Sequence, residues 1–326
     1  MKFFTYLLLP FAAAFSPGNF APVSPRGATS LDASPGIVIT GGAAGVGYAY
    51  ADKFLSQSIP CVICDVAPLD GALSSLKKKY PSMSDKVHGV KCDVSSSEDV
   101  DNLASFAKEK LGTVTHWINN AGVNGGRRAL TDVPVSQVEL VVRVNLLGVL
   151  LCSKKAIELM SNQPEGGCLF NTVGSGVKGG GTPGYACYGS TKRGLPQLTS
   201  SLNDEIQKGV QGYEKKKTAG EVKVYSLSPG MVFTKLLLED STPELRKFPF
   251  GVLAAQPEEV AEDLVPKILN PGPAGSSIEF LGTDKILTKF FERFVLQKKS
   301  EYIADDGSVI RFPGEEYDSE GVRKLY

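Results

Sequence analysis

Histidine is nearly absent from this chain. Only His88 and His116 occur among 326 residues. Both fall in apolar stretches that predict strands, so a Ser-His-Asp hydrolase has no base to work with. An excess of either charge is also missing: 35 Lys+Arg balance 35 Asp+Glu, for a formal net charge of zero. No strongly basic face follows, and nucleic-acid binding has no support. The apolar run from Phe3 to Phe15 is too short to cross a bilayer. Cysteine is sparse and scattered, at Cys61, Cys64, Cys92, Cys152, Cys168 and Cys187. Cys61-x-x-Cys64 lies inside an apolar run with no second pair and no nearby histidine. Buried thiols are the expected reading there, and no metal site is expected.

What is present at the start is a leader. Lys2, the Phe3–Phe15 run and Ala12-x-Ala14 have the charge, apolar middle and small-residue end of a secretory signal peptide over residues 1–14. Residues 15–35 are rich in Ser, Thr and Pro, with Asp32 the single acid. That composition is similar to a plastid transit peptide. Signal and transit segments in series, with Phe15 just after Ala14, resemble the bipartite leader of algae with secondarily acquired plastids. A plain secretory protein is the alternative localisation.

From Pro35 onward, short apolar runs alternate with longer amphipathic ones. Strands are predicted at Ile37–Ile39, Pro60–Asp65, Val87–Asp93, Val114–Ile118, Gly167–Val173, Val222–Ser228 and Ile278–Leu281. Helices are predicted to about Ser58, over Glu98–Leu111, Val135–Met160 and Pro183–Leu202. Gln207–Glu221, with Lys215-Lys216-Lys217, reads as a solvated loop. Repeated βα units predict a parallel sheet with helices on both faces and a ligand site beyond the strand carboxyl ends. One domain is expected over 36–283. Residues 284–326 form an extension that opens on an amphipathic stripe of Ile286, Phe290 and Phe294 beside Leu287, Phe291 and Val295. Packing on a core or partner subunit is the first reading of that stripe. A substrate lid or a peripheral membrane contact is the other.

Thr40-Gly41-Gly42-Ala43-Ala44-Gly45-Val46-Gly47 follows the first strand and opens the first helix. Glycines there let the backbone approach a pyrophosphate, which the helix N-terminus favours electrostatically. Asp65 ends the second strand, where an acid reaches ribose hydroxyls and repels a 2′-phosphate. Ala44 adds no positive charge. Both favour NAD(H) over NADP(H). Asp93 is either an adenine contact or a cap for the following turn.

Tyr188 and Lys192 stand four apart on the predicted Pro183–Leu202 helix and so share one face. A nearby ammonium lowers a phenol from its ordinary value of about 10, which predicts an acid/base tyrosine with a depressed pKa. Ser175 lies thirteen residues upstream, just past the fifth strand. Asn119-Asn120-Ala121-Gly122 follows the fourth strand, Asn145 sits in the next helix, and Pro229-Gly230 with Thr234 follows the sixth.

Together these motifs resemble the short-chain dehydrogenase/reductase family from about Ile37 to Leu281. The resemblance implies a Rossmann-type, doubly wound α/β fold of about seven parallel strands in a single domain. It implies hydride transfer between a nicotinamide cofactor and a carbonyl. Tyr188 would donate the proton, Ser175 would hold the carbonyl oxygen, Lys192 would hold the ribose, and Asn145 would position a water beside Lys192. Thr40, Gly41, Gly45, Gly47, Asp65, Asp93, Asn120, Ala121, Gly122, Tyr188, Lys192, Pro229, Gly230 and Thr234 would contact the cofactor. The loop from Met231 to Pro257 would cover the substrate.

Phe170-Asn171, Tyr188–Gly194, Ser228–Leu238 and Phe294–Asp306 further resemble plastid chlorophyll(ide) b reductases. That implies a hydrophobic pigment as substrate, reduced at its formyl group. A homo-oligomer is expected as well. Those reductases carry basic residues where this chain has Ala44 and Asp65. A lipid, quinone or carotenoid carbonyl is the alternative substrate, and a non-catalytic cofactor-binding scaffold is the alternative role.

Overall fold

A computed structural model describes residues 35–175, 177–212, 218–311, 313–317 and 323–325. The signal peptide and nearly all of the transit segment expected over residues 1–35 lie outside the described residues. So does the Lys215–Lys217 run.

Seven strands form one sheet in the order β3-β2-β1-β4-β5-β6-β7. They are β1 (Ile37–Thr40), β2 (Cys61–Asp65), β3 (Val87–Lys91), β4 (His116–Asn119), β5 (Gly167–Thr172), β6 (Val222–Ser228) and β7 (Ser277–Glu279). Every neighbouring pair is parallel. The strands are almost continuously apolar, as sheets buried on both faces require. β1 shows the division of labour. Ile37 and Ile39 join one core, while Val38 between them joins the other.

The first core is closed by α1 (Gly45–Ser56), α2 (Asp70–Lys79) and α10 (Pro257–Leu269), through Phe54, Leu76, Leu264 and Ile268. The second is closed by α3 (Ser97–Leu111) and α5 (Val149–Ser161), through Leu103, Cys152 and Met160. Sequence signals fix the α3 ends. Ser96 accepts a hydrogen bond from the Asp99 N–H, Glu98 and Asp99 fill the first turn, and Lys108 and Lys110 the last. Gly112 then takes φ 71°, a left-handed stop. Cys61 and Cys64 are buried and unpaired, as their apolar setting predicts.

The strand order reverses between β1 and β4, so a crevice opens beyond their carboxyl ends. α6 (Ala186–Lys208) passes beside it. The predicted Val135–Met160 helix is α4 (Val135–Val142) and α5 joined by a π turn over Arg143–Gly148. Beyond β6 come three short helices, α7 (Lys235–Leu238), α8 (Pro243–Leu245) and α9 (Gly251–Leu253). A small third core there holds Phe233, Leu238, Phe250 and Ile303. Ile303 belongs to the C-terminal tail. The extension past 284 therefore helps to build the core of the loop that follows β6. Arg246 fastens the same join, its Nε donating to the Gly307 carbonyl at 2.8 Å.

α11 (Thr283–Phe294) buries none of its residues fully. Leu287, Phe291 and Phe294 are more than half exposed, as are Val295 and Leu296 beyond it. The stripe does not pack into the core of this chain. The tail ends in an antiparallel pair, β8 (Pro313–Tyr317) and β9 (Arg323–Leu325).

Candidate active site

The turn after β1 is shaped by glycine. Gly41 and Gly45 are left-handed, with φ 69° and 56°. A Cβ on Gly41 would come within 2.8 Å of Ala121 Cα, and one on Gly47 would overlap the Gly41 carbonyl oxygen. The backbone is thus packed to leave a bare, N–H-rich cradle at the start of α1, which fits a pyrophosphate. Asp65 borders it. Its Oδ2 accepts from the Ala43 N–H and its Oδ1 from the Ala67 N–H, each at 3.1 Å.

Thr40 and Asn120 tie the first and fourth strand ends together. Thr40 Oγ1 accepts from the Asn120 and Ala121 N–H groups at 3.0 Å, and Asn120 Nδ2 donates to the carbonyls of Thr40 and Gly41. Their polar groups shape the cradle. Asp93 makes a turn of its own: Oδ1 accepts from the Ser95 N–H and Oγ at 2.9 and 2.8 Å. The cap of α3 is Ser96, and Asp93 closes the turn before it. Gly230 has φ 74°, and a Cβ there would meet Leu281 Cδ1 at 2.8 Å. Thr234 follows at the start of α7.

Lys192 is 3% exposed, and its Nζ donates to the Thr172 carbonyl at 2.9 Å. Burial pulls it down to about 8. The Tyr188 ring centroid is 5.8 Å from that Nζ. Burial pushes the Tyr188 phenol up to about 12. This is opposite in direction to the expected depression, and loss of hydration is its cause. Tyr188 therefore holds its proton at neutral pH, the form that can give one away.

The phenol oxygen lies against Gly174, where a Cβ would overlap it. Ser175 is the next residue and is exposed. Among the described residues no hydrogen bond joins Ser175 to Tyr188. Asn145 sits on the π turn, fully buried. Its Oδ1 accepts from the Val123 N–H at 2.9 Å and its Nδ2 donates to the Val123 carbonyl at 2.7 Å. Gly122 separates Asn145 from Lys192: a Cβ there would be 3.3 Å from Asn145 Oδ1 and 3.5 Å from Lys192 Nζ. Gly122, Asn145, Gly174, Tyr188 and Lys192 thus converge at the strand ends.

His116 stays away from this cluster, fully buried and stacked on Phe170, and burial lowers it to about 4. Two features escaped the sequence. A buried polar chain runs from Trp117 Nε1 to Asn119 Oδ1, and from Asn119 Nδ2 to Asn171 Oδ1 at 2.9 Å. Asn171 Nδ2 then donates to Thr199 Oγ1, bracing β4, β5 and α6 under the site. Asn124 Nδ2 donates to the Leu236 carbonyl at 2.6 Å and ties the loop after β4 to α7. Asn119, the last residue of β4, and Asn171, one before the end of β5, lie in register, a pairing visible only once the register is known.

The short chain dehydrogenase family model matches residues 36–244, the span that carries all of these groups. The chain belongs to that family. This short-chain dehydrogenase is an oxidoreductase that uses a nicotinamide cofactor. It is 36% identical over 278 residues to the rice (Oryza sativa) protein "chlorophyll(ide) b reductase NOL, chloroplastic", covering 83% of this chain and 78% of that one. Its identity to the Arabidopsis thaliana protein of the same name is 38% over 278 residues, 83% of this chain and 77% of the relative. Among solved structures it is similar in fold to the 3-ketoacyl-(acyl-carrier-protein) reductase of Brucella melitensis complexed with NADH. The TM-score is 0.64 at 23% identity, covering 78% of this chain and 99% of that one. Levodione reductase is similar in fold too, with TM-score 0.65 at 20% identity, covering 78% of this chain and 98% of that one.

Proposed function

We propose that this oxidoreductase reduces the formyl group of chlorophyll b or chlorophyllide b to a hydroxymethyl group. The carrying observation is similarity to the two chloroplast reductases over 83% of this chain. Tyr188 is the general acid: its high pKa keeps the proton until a developing alkoxide draws it off. Ser175 holds the same oxygen by a hydrogen bond that strengthens as charge develops. Lys192 binds the ribose, and Asn145 holds the Gly122–Val123 backbone at a fixed distance from it. The cradle of Gly41, Gly45 and Gly47 takes the pyrophosphate, and Pro229, Gly230 and Thr234 take the carboxamide. A bound reduced nicotinamide supplies the hydride.

Asp65 supports NAD(H) as the preferred form, because its carboxylate borders the cradle where a 2′-phosphate would add a second negative charge. The chloroplastic relatives and the leader composition support a plastid location. Exposed Phe291, Phe294 and Val295 support a peripheral membrane contact, where such a pigment resides. Exposed Val135, Leu140, Val142 and Leu150 along the α4–α5 stretch support a homo-oligomer. The test of the activity is incubation with chlorophyllide b and NADH or NADPH, with chromatography of the pigments. A hydroxymethyl product is expected, and none with either cofactor would overturn the assignment.

A further inference from the structure

Arg127 is a cation without an anion. Its side chain is half-buried and its Nε is enclosed without a hydrogen-bond partner. Among the described residues its guanidinium makes no ion pair. Enclosing a charged donor unpartnered is unfavourable, and most enclosed donors in proteins are satisfied. The acids in its field are Asp240 and Glu244. Asp240 Oδ2 lies 3.5 Å from the position a Cβ on Gly126 would take. The Glu244 carboxyl is held below its ordinary range by its own backbone N–H and by Thr242, with Arg127 a minor contributor. Neither acid closes on Arg127.

The place of Arg127 is fixed from two sides. Gly184 is left-handed at φ 85°, and a Cβ there would come within 2.8 Å of Arg127 Cγ and 3.4 Å of Nε. Only a bare backbone lets the side chain lie there. The next residue, Arg128, donates its N–H to the Gly184 carbonyl at 3.0 Å, pinning the loop to the start of α6. Tyr185 flanks that start, three residues before Tyr188. Burial raises the Tyr185 phenol while Arg127 opposes the rise. Arg127 thus lies over Gly184, four residues before Tyr188 in the chain.

A guanidinium fork matches a carboxylate in shape and charge. We propose that Arg127 anchors a free carboxylate of the substrate, so that the acid, chlorophyllide b, is bound in preference to its esters. This rests on the pigment reading above. A flat macrocycle separates its formyl from its propionate by its own width. An anchor displaced from Tyr188 rather than beside it suits that separation. Binding energy from a remote group of this kind orients the reacting one.

The test compares chlorophyllide b with its methyl ester on the wild type, Arg127→Gln and Arg127→Lys, each saturated with NADH or NADPH. Arg127→Gln is expected to raise KM for the acid about tenfold or more, leaving kcat and the ester's KM unchanged. Arg127→Lys should recover part of the loss. The ester rate doubles as the control that the variant is folded. An equal effect on acid and ester, or none on the acid, overturns the anchor alone. A wild type that reduces neither pigment overturns the pigment reading and the anchor with it.

Discussion

The Tyr188 hydroxyl rests on the Cα of Gly174, so closely that a Cβ there would overlap the phenol oxygen and come within 2.9 Å of Cζ. Gly174 positions the phenol that is proposed as the proton donor. Gly174→Ala must push the end of the ring aside, and displacements near 1 Å at a reacting group cost on the order of a hundredfold in rate. We expect kcat to fall by about that factor, with cofactor affinity measured by fluorescence nearly unchanged. Full activity would show that the phenol is not held there.

Lys192, lowered to about 8, and Tyr188, raised to about 12, make opposite pH predictions for stability. Between about 8 and 10.5 the unfolded lysine carries a proton that the folded one lacks, so Lys192 makes stability rise with pH. Between 10.0 and about 12 the folded tyrosine carries a proton that the unfolded one lacks, so Tyr188 makes stability fall. Urea unfolding of wild type and Lys192→Met at pH 7.5 and pH 10 isolates the lysine. The wild type should gain on the variant by about 2–3 kcal/mol across that interval. No relative gain would mean that Lys192 is not desolvated.

The same lysine bears on turnover. If its charge holds the ribose, the reduction rate at fixed cofactor falls as pH rises through about 8. Tyr188 contributes no inflection below that point, because its phenol stays protonated. A rate profile flat to pH 10 would remove the charge of Lys192 from the account.

Asp65 faces the cradle through Ala43, and Ala44 starts the same helix. Asp65→Ala with Ala44→Arg should shift the ratio of kcat/KM toward NADPH by about tenfold or more, since one negative charge leaves and one positive charge arrives. A wild type that already prefers NADPH would contradict the reading of Asp65.

Asn171 links β5 to β4 and α6 through Asn119 and Thr199. Asn171→Ala leaves buried donors and acceptors unpaired and should destabilise the fold by about 2–4 kcal/mol in urea unfolding. A change below about 0.5 kcal/mol would show that the network is not needed for stability.

Much of this was legible in the residues. Val38 between Ile37 and Ile39 is part of a buried parallel strand, and apolar runs of that kind announced all seven strands. The glycines after β1 announced their turn. Other features have no local signature. Asn145 sits on a π turn, whose single extra residue leaves the apolar pattern of Val135–Met160 intact. The i,i+4 spacing brings Lys192 near Tyr188 but says nothing of burial, and burial sets the direction of both pKa shifts. Ile303 joining Phe233 and Phe250, and Arg127 lying over Gly184, are long-range contacts that only the assembled fold reveals.

The most direct test of the central claim follows the hydride. Chlorophyllide b is incubated with NADH deuterated at the transferable position, using the wild type and Tyr188→Phe, and the pigment is analysed by mass spectrometry. The account predicts one deuterium on the new hydroxymethyl carbon with the wild type, and at least a hundredfold less product with Tyr188→Phe. Hydroxymethyl pigment without deuterium, or undiminished turnover by Tyr188→Phe, would contradict it.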